Sequence, residues 1–505
     1  MTDTPTTIVD LIAARPGNDP ALLAPDRETL SYGALAAQID RTAASLAAHG
    51  ISPGDSVAIV LPNGPEAATA FLGVAAQAAA APLNPGYRTD EFDFYLGDLA
   101  AKALIVAAGA DTPAIEVARR RGIPILAITP QTAAGAFTID APSGTNRKSK
   151  RPGGEDTALL LHTSGTTSRP KLVPLSHRNL IASAGNIATT LKLGAADRCL
   201  NIMPLFHIHG LVGVLAASIR AGGSVFCSPG YNALRFYAWL TDSQASWYSA
   251  VPTMHQANLA RASHNRAVLD TQTLRFIRSS SSSLPARVMA ELEETFGCPV
   301  IESYGMTEAT HQMTSNMLPP GGRKAGSVGI AAGPEVRLMS EDGTLLSGDA
   351  IGEVVIRGRN VTAGYLNNMA ANATAFHDGW FRTGDLGRFD QEGFLTIEGR
   401  LKEIINRGGE KISPREVDEA LMAHPAVAQA VAFAMPHAKL GEEVAAAVVL
   451  RDSMTTDERG LRDFLSERLA DFKVPRKIVI LDEIPKGATG KLQRIGLAAK
   501  LGLAS

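Results

Sequence analysis

Short apolar runs rich in β-branched residues alternate with alanine-rich stretches through the first part of the chain, and no other feature restricts the fold so strongly. DSVAIVLP (55–62) and KALIVAAG (102–109) have the length and composition of fully buried strands, and the segments between them carry helical patterns. Strand, helix and strand in repeated succession predict parallel sheets covered by helices, the α/β class. At 505 residues the chain outgrows a single core, because cores stop growing near roughly 250–300 residues and longer chains divide. Two or more domains are therefore expected. The most apolar stretch, 67–81, is interrupted by Thr69 and Gln77 and halted by Pro82. It reads as a buried helix, too short to span a bilayer.

Charge narrows the choice of partners. The net charge is −2, with 45% hydrophobic and 19% charged residues, so no global field draws the molecule to nucleic acid or to an anionic membrane. A polyanionic ligand would have to be met by local groups. The basic run RKSKR (147–151) lies in a polar stretch beside Pro152 and Gly153 and reads as an exposed loop. The three cysteines, Cys199, Cys227 and Cys298, are widely spaced and form neither a CxxC pair nor a zinc pattern. Asp3 and Asp10 stand where an export signal would need positive charge, and residues 503–505 are not the SKL peroxisomal address. A cytoplasmic protein, monomer or homodimer, is expected, with no nucleic acid partner and no membrane insertion.

After Gly399 the texture changes. LKEIINRGGEKISPREVDEALMAHPAVAQAVAFAMP contains a glycine turn, a helix and a strand, and the remainder continues as strand, helix, strand and a terminal loop. Ser413, Pro414 and Glu416 read as an N-cap, a first-turn proline and a capping-box partner. The change of texture divides the chain into an N-terminal domain, residues 1–399, and a small C-terminal domain after it.

The segment ALLLHTSGTTSRPKLVPLSHRNL (158–180) is an apolar strand, a loop of hydroxyls and glycine with Lys171, and a second strand. Small residues around a glycine let backbone N–H groups converge into a nest for phosphate oxygens. The loop departs from GxxxxGK[ST] and leads into a strand, so the helix-dipole argument for P-loops does not apply. Taken alone, such a loop is more often a plain turn.

TSGTTSRPK nevertheless resembles the phosphate-binding signature of the adenylate-forming superfamily of acyl-CoA synthetases, adenylation domains and luciferases. Further motifs match in order: ESYGMTEATHQM (302–313), FRTGDLGRFDQEGFLTIEGRLKEIINRGGEKISP (381–414) and PKGATGKLQR (485–494). The resemblance covers nearly the whole chain and implies ATP, Mg²⁺ and coenzyme A as partners of a carboxylic acid. It assigns ATP or AMP binding to Thr163, Ser164, Gly165, Thr166, Thr167, Lys171, Glu302, Ser303, Tyr304, Gly305, Met306, Thr307, Asp385 and Arg400. In this set Tyr304 offers a ring face for the purine and Asp385 accepts from the ribose hydroxyls. Glu308 and Thr163 would hold the metal. Lys491 would supply positive charge at the α-phosphate during adenylation. The resemblance makes residues 400–402, with Lys402, the hinge of a mobile C-terminal domain, 403–505, and Gly408 and Gly409 match the loop that later flanks the CoA thiol. Asn406 stands where many relatives carry a second AMP-contacting lysine.

MPLFHIHGL (203–211) resembles the acyl-pocket motif, placing His207 and His209 near the substrate, with His207 also a catalytic candidate. On a strand-like piece these two would share one face. Amino-acid-activating relatives carry an Asp in this motif, and here there is none. Ser281, Ser282 and Ser283, with His311, make the predicted wall polar where a fatty-acid tunnel would be apolar. The strings MPLFHIHGL, SSSSSLP, YGMTEATHQMTSN and PPGGRKAGSVG are most similar to oxalate–CoA ligases, whereas malonate-activating relatives carry Arg in place of Ser303. The resemblance thus implies a ligase that adenylates oxalate and passes it to CoA. The alternatives are a ligase for another small or aromatic acid, a stand-alone enzyme loading a carrier protein, and a nucleotide sensor without catalysis.

Overall fold

The structure, a computed structural model, describes residues 5–139, 151–163, 170–485 and 492–503. Two sheets form the body of the N-terminal domain. The seven-stranded one runs, in spatial order, Phe137–Ile139, Ile125–Pro130, Ala103–Ala107, Ser56–Val60, Ala79–Pro82, Thr157–His162 and Leu172–Ser176. Its interior strands pair in parallel, and the two edge strands pair antiparallel. The nine-stranded sheet has a parallel centre, in which Phe276–Ser279 lies between Trp247–Ala250 and Val300–Met306. An antiparallel six-stranded sheet follows over residues 335–400, and a five-stranded sheet over residues 405–480 forms the smaller C-terminal domain.

The two large sheets are joined by one hydrophobic core that includes the helices Tyr32–Ala48, Pro65–Ala75 and His177–Thr190. Alanine and glycine in the Pro65–Ala75 helix permit close helix approach: a Cβ on Gly73 would stand 2.7 Å from the Thr42 side chain. The apolar stretch 67–81 is not one helix. The helix ends at Ala75 and the chain re-enters the sheet as Ala79–Pro82, since a run of small apolar residues satisfies helix and buried strand alike and tertiary pairing decides between them.

Two other local expectations also change. Helix Pro414–Met422 forms with Pro414 in its first turn, but Ser413 makes no cap bond. Its hydroxyl donates instead to the Glu398 carbonyl in the preceding strand, and Glu416 pairs with Lys473 at 2.7 Å. The MPLFHIHGL segment is not strand-like either. His209–Ala216 is a wholly buried π-helical stretch, a form that recurs at functional sites.

Candidate active site

The strand Val300–Met306 carries the adenine motif through the domain and ends in a short 3-10 turn, Thr307–Ala309. Strand Trp380–Phe389 delivers Asp385 beside it. The Tyr304 hydroxyl donates to Asp385 Oδ2, and Arg400 Nε reaches Asp385 Oδ1 at 3.1 Å. Burial lifts the Asp385 carboxyl above the usual carboxylate range while Arg400 and Tyr304 pull it back. Each carboxylate oxygen has room for a second bond, so Asp385 is held rigid with acceptor capacity to spare.

Glu308 sits in the turn, buried, with Tyr365 donating its hydroxyl to Oε1 at 2.8 Å. Burial raises its pKa, and Tyr365, Arg400 and Lys171 oppose that shift. The Lys171 ammonium lies 4.3 Å from the centre of the Tyr365 ring, so this ring bridges the residue after the phosphate loop and the metal-ligand candidate. At the mouth of the loop, Thr163 and Lys171 pair, Thr163 N–H donating to Lys171 O at 2.9 Å and Lys171 N–H to Thr163 Oγ1 at 3.2 Å. Ser164, Gly165, Thr166 and Thr167 fall outside the described residues, as does Lys491. Tyr365 gave no local signal in the sequence, because its role comes only from the approach of two distant segments.

Other residues of the motif have structural work. Gly305 could carry no side chain, since a Cβ would lie 1.6 Å from the His311 carbonyl. Met306 closes the strand opposite His311, and Thr307 O accepts Thr310 N–H at 2.9 Å. Glu302 Oε1 accepts the Leu284 N–H at 2.9 Å, tying down the serine run. Burial pushes its carboxyl up to about 7. Glu302 Oε2, Ser303 Oγ and Ser279 Oγ are buried without partners, and such atoms call for a water or a ligand.

Among the residues expected to line the acid pocket, the two ring nitrogens of His209 meet serine hydroxyls, Nδ1 with Ser281 at 3.0 Å and Nε2 with Ser249 at 2.6 Å. The His311 ring packs edge-on to His209, centroids 4.9 Å apart, in space left by Gly213. Ser281 and His311 both adopt the left-handed region, with φ of 73° and 97°, strain that non-glycine residues retain chiefly at functional positions. His207 precedes the π-helix, and its Nδ1 accepts the His209 N–H at 3.2 Å. Ser282 and Ser283 do not join this group. They line a separate cavity of about 160 Å³ between the domains, with Arg415, Asp418 and Arg494.

In the C-terminal domain Gly408 and Gly409 have φ of 60° and 106° and turn the chain between Ile405–Arg407 and Glu410–Ile412. Lys402 is exposed in the tight turn that follows Arg400. There the Glu403 and Ile404 N–H groups both bond the Arg400 carbonyl, at 2.9 and 3.0 Å.

A tyrosine paired with a buried aspartate, a second buried carboxylate and a hydroxyl-rich loop fit the AMP-binding enzyme family, whose description matches residues 9–366, with its C-terminal domain matching 416–491. The chain belongs to this family. It is 44% identical over 504 residues to an oxalate–CoA ligase of Arabidopsis thaliana, covering 97% of each chain. It is also 44% identical over 470 residues to the oxalate–CoA ligase of Saccharomyces cerevisiae, covering 87% of this chain and 86% of that protein. Among solved structures, ATP-bound MatB from Rhodopseudomonas palustris superposes with a TM-score of 0.87 at 28% identity, covering 98% of this chain and 99% of that one. The protein is an AMP-forming acid–CoA ligase that uses ATP with magnesium and takes coenzyme A as co-substrate. No helix among the described residues is long and apolar enough to cross a membrane.

The geometry fits the metal. No group of three or more His, Cys, Asp and Glu side chains placed to hold a metal ion occurs among the described residues. Mg²⁺ is commonly held by one or two carboxylates with substrate phosphates, and Glu308, buried with a lysine and an arginine nearby, offers such a carboxylate.

Proposed function

We propose that this ligase acts on oxalate. The observation that carries the reading is the convergence of Ser281 and His311, both at positive φ, on His209. Hydroxyl and imidazole donors suit an acid with no apolar body and a second carboxylate to hold. The names of the Arabidopsis and yeast relatives support the same acid. A ligase for another small or aromatic acid, or an enzyme loading a carrier protein, would not require this donor pair.

Catalysis rests on alignment and charge. The adenine stacks on Tyr304, Asp385 with Arg400 holds the ribose, and the loop Thr163 to Thr167 with Lys171 takes the phosphates. Glu302, Ser303, Gly305, Met306 and Thr307 shape the strand beneath the nucleotide. Glu308 and Thr163 would hold magnesium, which would supply charge neutralisation on the phosphates. The oxalate oxygen attacks the α-phosphorus, pyrophosphate leaves, and the CoA thiolate displaces AMP, with no covalent enzyme intermediate. His207 carries its imidazole proton on Nε2, because Nδ1 accepts a backbone N–H, and it serves as a donor at the reacting carboxylate. Ordering of bound reactants can supply roughly 7–11 kcal/mol of such a barrier.

Residues 1–399 bind ATP and acid, 400–402 turn, and 403–505 swing. Lys491 serves the first half-reaction, and the Gly408–Gly409 turn replaces it in the second, with Lys402 as pivot. The three buried free cysteines suit a reducing cytoplasm. A panel of acids followed by pyrophosphate release and thioester formation tests the substrate. Oxalate is expected to exceed malonate, acetate, coumarate and octanoate, and equal turnover of any one of these would displace it.

A further inference from the structure

Arg278 lies in the centre of the nine-stranded sheet, on the strand Phe276–Ser279, and is fully buried. Arginine at such a place is normally matched by a carboxylate, because an uncompensated buried charge is costly. Here the hydrogen-bond partners of the guanidinium among the described residues are uncharged acceptors. Nη1 donates to the Gly213 carbonyl at 3.2 Å, and Nη2 donates to Gln312 Oε1 at 3.0 Å and to His311 Nδ1 at 3.4 Å. Nε has no partner. Burial draws the guanidinium down to about 9, still cationic at neutral pH.

We propose that Arg278 is a specificity-determining positioning residue of the acid pocket: it holds His311 as the Nε2–H tautomer and places a fixed cation behind it, selecting small acids whose far end is a second carboxylate. An imidazole whose Nδ1 accepts from arginine must carry its proton on Nε2. That nitrogen lies against Gly213, where an added Cβ would stand 2.7 Å away. Gly213 therefore serves both partners, giving its carbonyl to Arg278 and its missing side chain to the His311 ring. An acid ending in a second carboxylate meets a donor and a cation together, whereas acetate draws nothing from the cation at its methyl end.

The inference rests on the substrate reading above, and the test separates the two. In Arg278→Gln, the kcat/KM for oxalate relative to acetate is expected to fall about tenfold or more through KM for oxalate, with KM for ATP within about twofold of wild type. In wild-type protein labelled with ¹⁵N-histidine, the His311 ring, assigned by its loss in His311→Asn, is expected to show the proton on Nε2. Full retention of oxalate selectivity in Arg278→Gln would overturn the role of Arg278. If that variant does not fold, the wild-type spectrum decides, and a proton on Nδ1 would overturn it. A wild-type preference for acetate would overturn the substrate reading, and the selectivity role with it.

Discussion

On the proposed assignment, the nucleotide side and the acid side of the site solve opposite problems. The first is built from buried carboxylates, Asp385 and Glu308, each held by a phenol and supported by a cation. The second is built from hydroxyls, imidazoles and one buried guanidinium. Carboxylates accept from ribose hydroxyls and hold a metal, while donors and a cation receive an anionic acid. On the proposed assignment the nucleoside and the acid meet groups of opposite sign, so substitutions on one side should leave binding on the other intact.

The largest effect is expected where the two sides meet, at the bond being formed. Lys491→Ala should slow adenylation by at least the roughly 10²–10³-fold seen when a preorganised donor is lost. Thioester formation from supplied acyl-adenylate should change far less, and equal loss in both half-reactions would refute the role. Next comes the acid side. His311→Ala should lower kcat/KM for oxalate about 10- to 100-fold while KM for ATP moves less than about twofold. A comparable rise in KM for ATP would break the division. Asp385→Asn should do the reverse, raising KM for ATP about tenfold with the oxalate-to-malonate preference retained in the acid panel.

Glu302 tests the border between the regions with the smallest effect. Its folded-state value of about 7 exceeds the ordinary 4.5, so between those values the folded protein holds a proton that the unfolded chain releases. The stabilisation is therefore complete below about pH 4.5 and is lost as pH rises through about 7. Glu302→Gln keeps an acceptor for Leu284 N–H and should flatten that slope, melting about 1–2 °C higher than wild type at pH 8. An unchanged pH profile in thermal melts would show that this carboxyl is ionised in the fold.

Much of the fold was legible because its signals are local. Buried strands such as Ser56–Val60 and Ala103–Ala107 announce themselves by composition, and Pro414 marks a helix start by its fixed φ. The misread segments are those where one composition suits two structures. The alanines after Gln77 became a strand because a place in the seven-stranded sheet was open to them. Ser413 gave its hydroxyl to the neighbouring strand instead of its own helix. In the site, the spaced motifs singled out Tyr304, Glu308 and Asp385, yet Tyr365 and Arg278 were passed over. A lone tyrosine and a lone arginine acquire meaning only from what the fold places beside them. Arg278 did leave one trace, a cation directly after the apolar pair Phe276 and Ile277 on a buried strand.

The α/β class, the two-domain plan and the chemical types in the pocket were determined by the sequence alone, since periodicity, turn residues and motif spacing are written along the chain. Which serine meets His209, which face receives Ser282 and Ser283, and the pairing of Arg278 with His311 were decided only by tertiary structure. Those contacts join residues tens of positions apart through sheet register and close approaches at Gly213 and Gly305. A hydrogen bond between distant segments depends on where both backbones come to rest, and no local pattern encodes that.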